Sequence, residues 1–424
     1  MNNRIVLIGA GSAMFGLGAL GDIFKSKALE GSTVVLYDIN AEALGKVESI
    51  AREFLLENNL PYSIIATTSR KEALTGANFC VISIEVGNRY ELWEQDWQIP
   101  LQFGIKQVYG ENGGPGGLFH SLRIVPPILD ICDDINKICP DSYVINLSNP
   151  MSTICLAISR KYPNLKLVGL CHEVGSLVEH LPNILNTPFS NLSIKAGGLN
   201  HFSILVEAKY KNTGKDAYPE IREKAPTYFE KTSERSLFLK ILKYFGYLPI
   251  TTDSHFSEYI HWAQEVSDHK GVLDFYNNYR KECMEQLNSM ERIEQGTDEA
   301  EYWRVIPIIE GILTDSGHEE LAVNIPNNGL IPNLPDDLVV EVPALIDKDG
   351  IHGISLESMP KGFRGLLSNR IGILDLSVEA ILSGSKEKVM QALLVDPTVN
   401  SLEASKKLLD TMLIYQEKYI GYIK

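Results

Sequence analysis

The sequence predicts an α/β fold in which a doubly wound parallel sheet is followed by an α+β domain. Short, wholly apolar runs alternate with helix-patterned stretches over about the first 175 residues, a pattern typical of parallel strands that are covered on both faces. A glycine-rich turn follows the first apolar run directly. The alternation ends near residue 195, where mixed strand and helix patterns begin.

The individual elements follow from the same patterns. The strands of the parallel sheet are expected at Arg4–Ile8, Thr33–Tyr37, Phe79–Ile84, Tyr143–Leu147 and Leu165–Leu170. Helices are expected at Ala41–Leu56, across Glu220–Phe245 and from Ser377 onward, and later strands at Ser203–Tyr210 and Val339–Val342. We place the domain boundary so that residues 1–195 form the first domain and residues 196–424 form a substrate, metal and oligomerisation domain.

Composition and charge narrow the class of partner. The 424 residues carry 39 basic and 54 acidic side chains, a net charge of −15. The chain has no basic block, so nucleic acid and anionic membranes are not expected partners. No apolar run approaches the ~20 residues that cross a bilayer, and the opening residues lack the pattern of a signal peptide. The six cysteines lack CxxC spacing, which is typical of reduced thiols and predicts a cytoplasmic protein.

The glycine-rich turn predicts dinucleotide binding. Gly9, Gly11 and Ser12 lie between the first strand and a helical stretch, so the helix N-terminus can meet a pyrophosphate. Asp38 ends the second strand, where a carboxylate suits a ribose hydroxyl and favours NAD over NADP. The third glycine expected at position 14 is replaced by Met14, and the next glycine is Gly16. This is a Rossmann-type arrangement, and with the α+β domain it predicts the architecture of lactate and malate dehydrogenases.

Polar residues follow two later strands of the predicted sheet. Asn149 closes the fourth of the predicted strands, where it can either contact a substrate beside the nicotinamide or cap the following helix. Cys171 follows the fifth, and His201 lies thirty residues further on, after a glycine pair. A thiolate and an imidazole form a partial site for a borderline divalent metal. A buried cysteine and an unrelated histidine would give the same spacing.

Several motifs together resemble glycoside hydrolase family 4, the NAD- and metal-dependent glycosidases. They run along nearly the whole chain and comprise Gly9–Ser12, Tyr109–Phe119, Ser148–Pro150, Cys171–Val174, Gly198–Phe202 and Asn324–Gly329. The resemblance implies hydrolysis by an exception to the two-carboxylate rule of glycosidases. NAD oxidises C3 of the sugar, and a metal polarises the new ketone. A base then removes the C2 proton, the glycosidic oxygen leaves, water adds, and NADH returns the hydride.

The resemblance also implies roles for individual residues. Cys171 and His201 match the metal ligands, for which the family usually takes manganese. His172 matches the residue that contacts the substrate and protonates the departing oxygen, a task that suits an imidazole near neutral pH. Glu111 matches an acidic position that tunes the base, and Asn149 matches an asparagine that contacts substrate and cofactor.

The base and the oligomeric state are also taken from the resemblance. The segment Leu248–Tyr259 corresponds to the one in which family members carry a tyrosine or aspartate base. Asp253 is the first candidate and Tyr259 the second, although Asp253 could instead cap a helix and Tyr259 could be part of the core. The family generally forms homodimers or homotetramers.

The Cys-His-Glu-Val form of the metal motif resembles the α-galacturonidase branch and implies a substrate of short, pectin-derived α-galacturonides. A uronate carboxylate is best bound by arginine. Arg89, Arg123, Arg280 and Arg304 are candidates among which the sequence does not choose. An α-glucuronidase or α-galactosidase of the same family is an alternative.

Two further alternatives lie outside that activity. A 2-hydroxyacid dehydrogenase would share the opening domain and the Ser148–Pro150 turn, but would have no use for Cys171 and His201. A non-catalytic NAD-binding regulator would bind the dinucleotide without turning over any glycoside.

Overall fold

A computed structural model of the chain describes residues 3–231, 235–288, 293 and 305–424. The described strands are β1 Arg4–Ile8, β2 Thr33–Tyr37, β3 Ser63–Thr67, β4 Phe79–Ile82, β5 Tyr143–Asn146, β6 Lys166–Gly169, β7 Leu192–Leu199, β8 Phe202–Tyr210, β9 Leu248–Pro249, β10 His318–Pro326, β11 Val339–Asp347 and β12 Gly350–Gly353.

The first described helices are α1 Gly18–Lys25, α2 Ala41–Glu57, α3 Arg70–Leu74, α4 Arg89–Gln102, α5 Gly114–Ile138, α6 Met151–Lys161, α7 Gly175–Leu185, α8 Tyr218–Phe229 and α9 Ser236–Phe245. The later ones are α10 Asp253–Phe256, α11 Ala263–Val266, α12 His269–Asn288, α13 Val305–Thr314, α14 Lys361–Ser383, α15 Lys386–Val395, α16 Leu402–Tyr415 and α17 Glu417–Ile420. In this described part of the chain, no helix has both the length and the apolar character needed to cross a membrane.

The first six strands form the predicted parallel sheet. Their order is β3-β2-β1-β4-β5-β6, and every neighbouring pair among them is parallel. This is the strand order of a Rossmann-type fold, so the predicted fold class is confirmed. The sequence analysis missed β3 because this edge strand is only partly buried, so it lacks the wholly apolar run that marks its neighbours.

The sheet continues beyond β6 with antiparallel strands. Asn324 of β10 pairs with Gly169 of β6, and β11, β7, β8 and β9 follow in that order. The sequence analysis missed β7 because Lys195 and the glycine pair after it break the apolar pattern. One sheet therefore contains the parallel strands of the N-terminal half together with β7, β8 and β10, which carry both ends of the Gly198–Phe202 motif and the start of the Asn324–Gly329 motif.

Two helical predictions are corrected by the structure. The helix expected across Glu220–Phe245 is two helices, α8 and α9, and residues 232–234 between them lie outside the described part. The helix expected from Ser377 begins earlier, at Lys361 after Pro360, because proline at that point sets the helix start without needing a backbone donor.

Candidate active site

The predicted site residues meet at the carboxyl edge of the parallel strands. Gly9 follows β1, Asp38 follows β2, Asn149 lies three residues after β5, and Cys171 lies two residues after β6. In open α/β sheets, ligands bind in the crevice outside this edge. The fold therefore brings the dinucleotide motif and the cysteine motif to one side of the sheet.

The glycines of the opening turn are required by close packing. Gly9 has a φ of +94°, and a Cβ there would lie 2.0 Å from the Ser83 carbonyl oxygen. A Cβ at Gly11 would lie 2.8 Å from the Asp38 carboxylate, which accepts the Gly11 amide at 2.8 Å. At Gly16 a Cβ would lie 2.2 Å from the Ala10 carbonyl oxygen. Gly16 thus allows the helical segment to approach the turn after β1 closely, where the usual fingerprint has its third glycine at position 14.

The residues around this turn fit an NAD molecule. Asp38 lies beside the turn at the end of β2, and the exposed Ser12 lies at the start of the helical segment. Ile39, directly after Asp38, is 88% exposed. This large apolar side chain is available to pack against the base of a bound nucleotide. The sequence analysis did not single out Ile39, although an apolar residue after the strand-ending aspartate was visible.

Asn149 is half-buried at the same edge. Its Oδ1 accepts the amide of Met151 at 3.3 Å, at the beginning of α6. The helix-capping alternative therefore describes a contact that Asn149 makes, and its role toward substrate and cofactor stays a prediction.

Three donors form a candidate metal cluster: Cys171, Glu173 and His201. One ligand atom from each lies within 4.8 Å of the others, and the Cys171 Sγ lies 3.1 Å from the His201 Nε2. The Nδ1 of His201 is buried and has no hydrogen-bond partner in the described part of the chain. A thiolate, a carboxylate and an imidazole are a mixed donor set that suits a borderline divalent ion. Glu173 was not among the predicted ligands.

The turn that carries His201 has an unusual backbone. Leu199 of β7 pairs with Phe202 of β8, so Asn200 and His201 form a two-residue turn. His201 has a φ of +60°, a region that is uncommon for residues other than glycine, and such residues cluster at functional sites. The turn aims the His201 side chain at Cys171, thirty residues earlier in the chain.

The charges of the cluster suit a cation. Burial raises the pKa of the Cys171 thiol, so a cation would be needed to hold the thiolate. Burial opposes ionisation of Glu173, but the neighbouring histidines His255 and His172 outweigh it and lower the Glu173 pKa to about 2. Burial lowers the pKa of His201, which keeps the imidazole neutral and able to coordinate.

His172 lies beside Glu173, and Glu111 lies beside His255. The His172 side chain is 84% exposed, with its Nε2 3.4 Å from a Glu173 oxygen. Glu111 is buried, accepts Arg89 at 2.7 Å and lies 3.8 Å from the Nε2 of His255.

His255 is central to the site, and the sequence analysis did not select it. Its Nε2 is also 3.8 Å from Glu173, and its ring centroid is 4.5 Å from that of His201. Tyr109 stacks on its ring at a centroid distance of 5.3 Å. The only signal in the sequence was its place in the Leu248–Tyr259 segment, in which Asp253 and Tyr259 were the predicted bases.

The two candidate bases have different surroundings. Asp253 is buried and accepts the amides of Leu237 at 2.8 Å and Phe238 at 3.3 Å, so it caps α9. Burial raises its pKa to about 6, and none of the groups that influence it belongs to the metal cluster. The Tyr259 ring lies 5.0 Å from the Arg370 guanidinium. Burial raises the Tyr259 pKa and the Arg370 charge opposes this rise, while Cys171 is among the groups that act on it.

A buried carboxyl group and a guanidinium hold the segment that carries Glu111. Glu258 accepts the amides of Glu111 and of Asn112, and Arg370 donates to the Asn112 carbonyl at 2.9 Å. A Cβ at Gly113 would lie 2.6 Å from the Tyr259 ring. The Glu111 segment and Tyr259 are therefore packed together.

The four candidate arginines differ in how they are engaged. Arg123 is buried in a pair with Asp96, with contacts of 2.9 and 2.5 Å, and Arg89 binds Glu111 and lies 3.8 Å from Glu85. Arg280 is exposed over the Tyr90 ring. Arg304 lies outside the described residues.

Comparisons with known proteins agree with the motifs. A family model described as family 4 glycosyl hydrolase matches residues 4–187, and a model of the C-terminal domain of the same family matches residues 196–399. An α-glucosidase of Erwinia rhapontici is 52% identical, with 100% of both chains covered. An α-galacturonidase of Thermoanaerobacterium saccharolyticum is 28% identical, over 98% of this chain and 96% of the relative.

A solved structure shows the same fold. It is the 6-phospho-β-glucosidase of Thermotoga maritima with manganese, NAD⁺ and glucose-6-phosphate, at a TM-score of 0.81 and 22% identity. The match covers 98% of this chain and 99% of that one.

Proposed function

This chain belongs to the family 4 glycosyl hydrolases, and from that membership we propose that it hydrolyses neutral α-glucosides with the help of NAD and a divalent metal such as Mn²⁺. The observation that carries the mechanism is the Cys171–Glu173–His201 cluster at the strand edge that also bears the dinucleotide turn. The 52% identity to an α-glucosidase over the full length supports the α-glucoside.

The cofactors would supply two kinds of chemistry when bound: a hydride acceptor that is restored within one turnover, and Lewis-acid polarisation of a sugar oxygen. Cys171, Glu173 and His201 would hold the metal. Gly9, Gly11, Ser12 and Asp38 would hold the dinucleotide, with Asn149 beside it.

The proton transfers fall to side chains around the cluster. His172 would protonate the departing glycosidic oxygen, and its exposed ring suits a group that meets an incoming sugar. Tyr259 would remove the C2 proton, with the Arg370 cation 5.0 Å from its ring favouring the phenolate. Glu111, between Arg89 and His255, would keep these two side chains in place. Asp253 is the less favoured base because two backbone amides occupy its carboxylate.

A galacturonide is the second candidate substrate, supported by the Cys-His-Glu-Val motif and the 28% identity to an α-galacturonidase. Two of the four candidate arginines weigh against it. Arg123 and Arg89 both form ion pairs with carboxylates of the chain itself. A uronate at either would have to compete with a carboxylate already in place.

One panel tests the proposal: nitrophenyl α-glucoside, α-galactoside, α-glucuronide and α-galacturonide, each assayed with NAD and Mn²⁺ under reducing conditions. We expect the highest kcat/KM on the α-glucoside. Substrate deuterated at C2 should turn over more slowly or lose label to solvent. Highest turnover of the galacturonide would select the second candidate, and net NADH formation without glycoside cleavage would reject both in favour of a dehydrogenase.

We also propose that the chain forms a homo-oligomer through its C-terminal helices. Their exposed apolar side chains are Leu382, Leu394, Val395, Leu402, Ile414 and Tyr415. Large apolar side chains exposed in such numbers on one set of helices are typical of subunit interfaces. Sedimentation analysis of the wild type against Ile414→Asp should show a smaller species for the variant.

A further inference from the structure

Glu341 is a buried carboxylate behind the candidate metal cluster. It lies on β11 and is 2% exposed. Its strand neighbours are Asn324 of β10 on one side and Gly198 of β7 on the other. Because β10 pairs with the strand that leads to Cys171 and β7 leads to the His201 turn, Glu341 stands between the two chain segments that carry the ligands.

The contacts of Glu341 lead toward those ligands. Its Oε2 accepts the Asn200 amide at 2.9 Å and the Asn324 amide at 3.4 Å. Asn200 immediately precedes His201 in the two-residue turn, and the His201 Nε2 lies 3.1 Å from the Cys171 Sγ. Glu341 therefore lies one hydrogen bond away from the turn that carries His201.

Groups behind metal ligands orient them and adjust the charge that the ion meets. A buried anion attracts a dication that binds nearby, and this attraction is stronger in a protein interior than in water. A carboxylate is also a stronger acceptor than an amide oxygen, so it holds Asn200 more firmly.

We propose that Glu341 is a positioning residue that sets the cation affinity of the Cys171–Glu173–His201 site, through its negative charge and its hydrogen bond to Asn200. The inference rests on the proposed metal site. It goes beyond that site because it gives a role in metal affinity to a residue that lies 140 positions after His201 in the chain.

Titration of the metal-free protein with Co²⁺ tests this without an activity assay. A sulfur-to-cobalt charge-transfer band reports coordination by a thiolate, and Cys171→Ser should abolish it. Glu341→Gln should keep the band but shift the titration midpoint to roughly 10- to 100-fold higher cobalt, the usual effect of losing such a group. Glu341→Asp keeps the charge and should recover part of the affinity.

Glu320→Gln is the matched control. Glu320 is also 2% exposed and lies on β10, four residues from Asn324, or about 13 Å along a strand. Its variant should bind cobalt like the wild type.

Each outcome separates the inference from the proposed function. No band in the wild type would reject the metal site itself. A band with an unchanged midpoint in Glu341→Gln, or a Glu341→Asp variant as impaired as Glu341→Gln, would overturn the role of Glu341 while leaving the site intact. If Glu341→Gln does not fold, Asn200→Ala decides: weaker cobalt binding supports the link through the amide, and unchanged binding refutes it.

Discussion

Glu173 changes the charge of the candidate metal site at the scale of a single residue. A thiolate and a neutral imidazole bring one negative charge to a dication, and the Glu173 carboxylate, with its pKa lowered to about 2, brings a second. Thr251 donates a hydrogen bond to the Oε2 of Glu173, and His172 and His255 lie near its Oε1. Cys171 is thus one ligand of a mixed set, which makes its removal informative.

Cys171→Ser should reduce kcat at least 100-fold and remove the response to added Mn²⁺, because a serine hydroxyl is a poor ligand for an ion that a thiolate binds. Activity of the wild type should be lost in EDTA and restored by Mn²⁺. Cys132→Ser is the control, since Cys132 is also buried but lies on α5. A Cys171→Ser enzyme that works normally in EDTA would contradict the metal assignment.

The identity of the base is also a question about single residues. Tyr259→Phe should lower kcat by about 100- to 10,000-fold, the usual contribution of a positioned base. Asp253→Asn should keep kcat within a few-fold, because an amide oxygen can still cap α9. Steady-state kinetics and C2 proton exchange in D₂O measure both. If Asp253→Asn loses as much activity as Tyr259→Phe while its unfolding temperature is unchanged, Asp253 is the base.

At the scale of elements, an irregular helical turn after β1 keeps a close backbone contact that a glycine at position 14 would usually allow. The segment Ala13–Leu17 is a π-helical turn ahead of α1, and wider turns of this kind are frequent at functional sites. This geometry brings Gly16, rather than position 14, against the Ala10 carbonyl. The missing glycine of the usual fingerprint is therefore replaced two residues later.

Gly16→Ala tests this replacement against a matched glycine. The new Cβ would lie 2.2 Å from a backbone oxygen, and we expect a loss of about 1–3 kcal/mol in the free energy of unfolding, as for other overpacked sites. Gly45→Ala, inside α2 with no atom within 4 Å of its Cβ, should gain about 0.4–1 kcal/mol. Urea unfolding measures both. Equal effects of the two substitutions would show that Gly16 is not needed for close packing.

The elements also show what the sequence could predict. Strands buried on both faces were found because their apolar runs are continuous, and this placed Asp38 and Cys171 at one edge. The direction of a side chain was not accessible in the same way. Asp253 accepts a backbone amide of α9. His255, two residues later, faces Glu111 and Glu173. Both directions depend on how α10 is placed against α9, which the sequence pattern does not specify.

At the scale of the whole molecule, one sheet runs from β3 to β9. The expected boundary at residue 195 falls within β7, so the two proposed domains share hydrogen-bonded strands. Buried residues from both halves also form one continuous apolar core. We therefore expect the described chain to unfold as one cooperative unit.

NAD binding tests that cooperativity. A ligand that binds only the native state stabilises it, by about 2.7 kcal/mol at a concentration of 100 Kd, so NAD should raise the unfolding temperature by a few degrees. Tryptophan fluorescence reports the four tryptophans, of which Trp93 and Trp97 lie in a second apolar cluster, whereas far-ultraviolet circular dichroism reports all helices and strands. The two signals should give one coincident transition that shifts as a whole. NADP should shift it much less, because its 2′-phosphate would meet the Asp38 carboxylate. Two separate transitions, with NAD moving only the first, would show that the domains unfold independently despite the shared sheet.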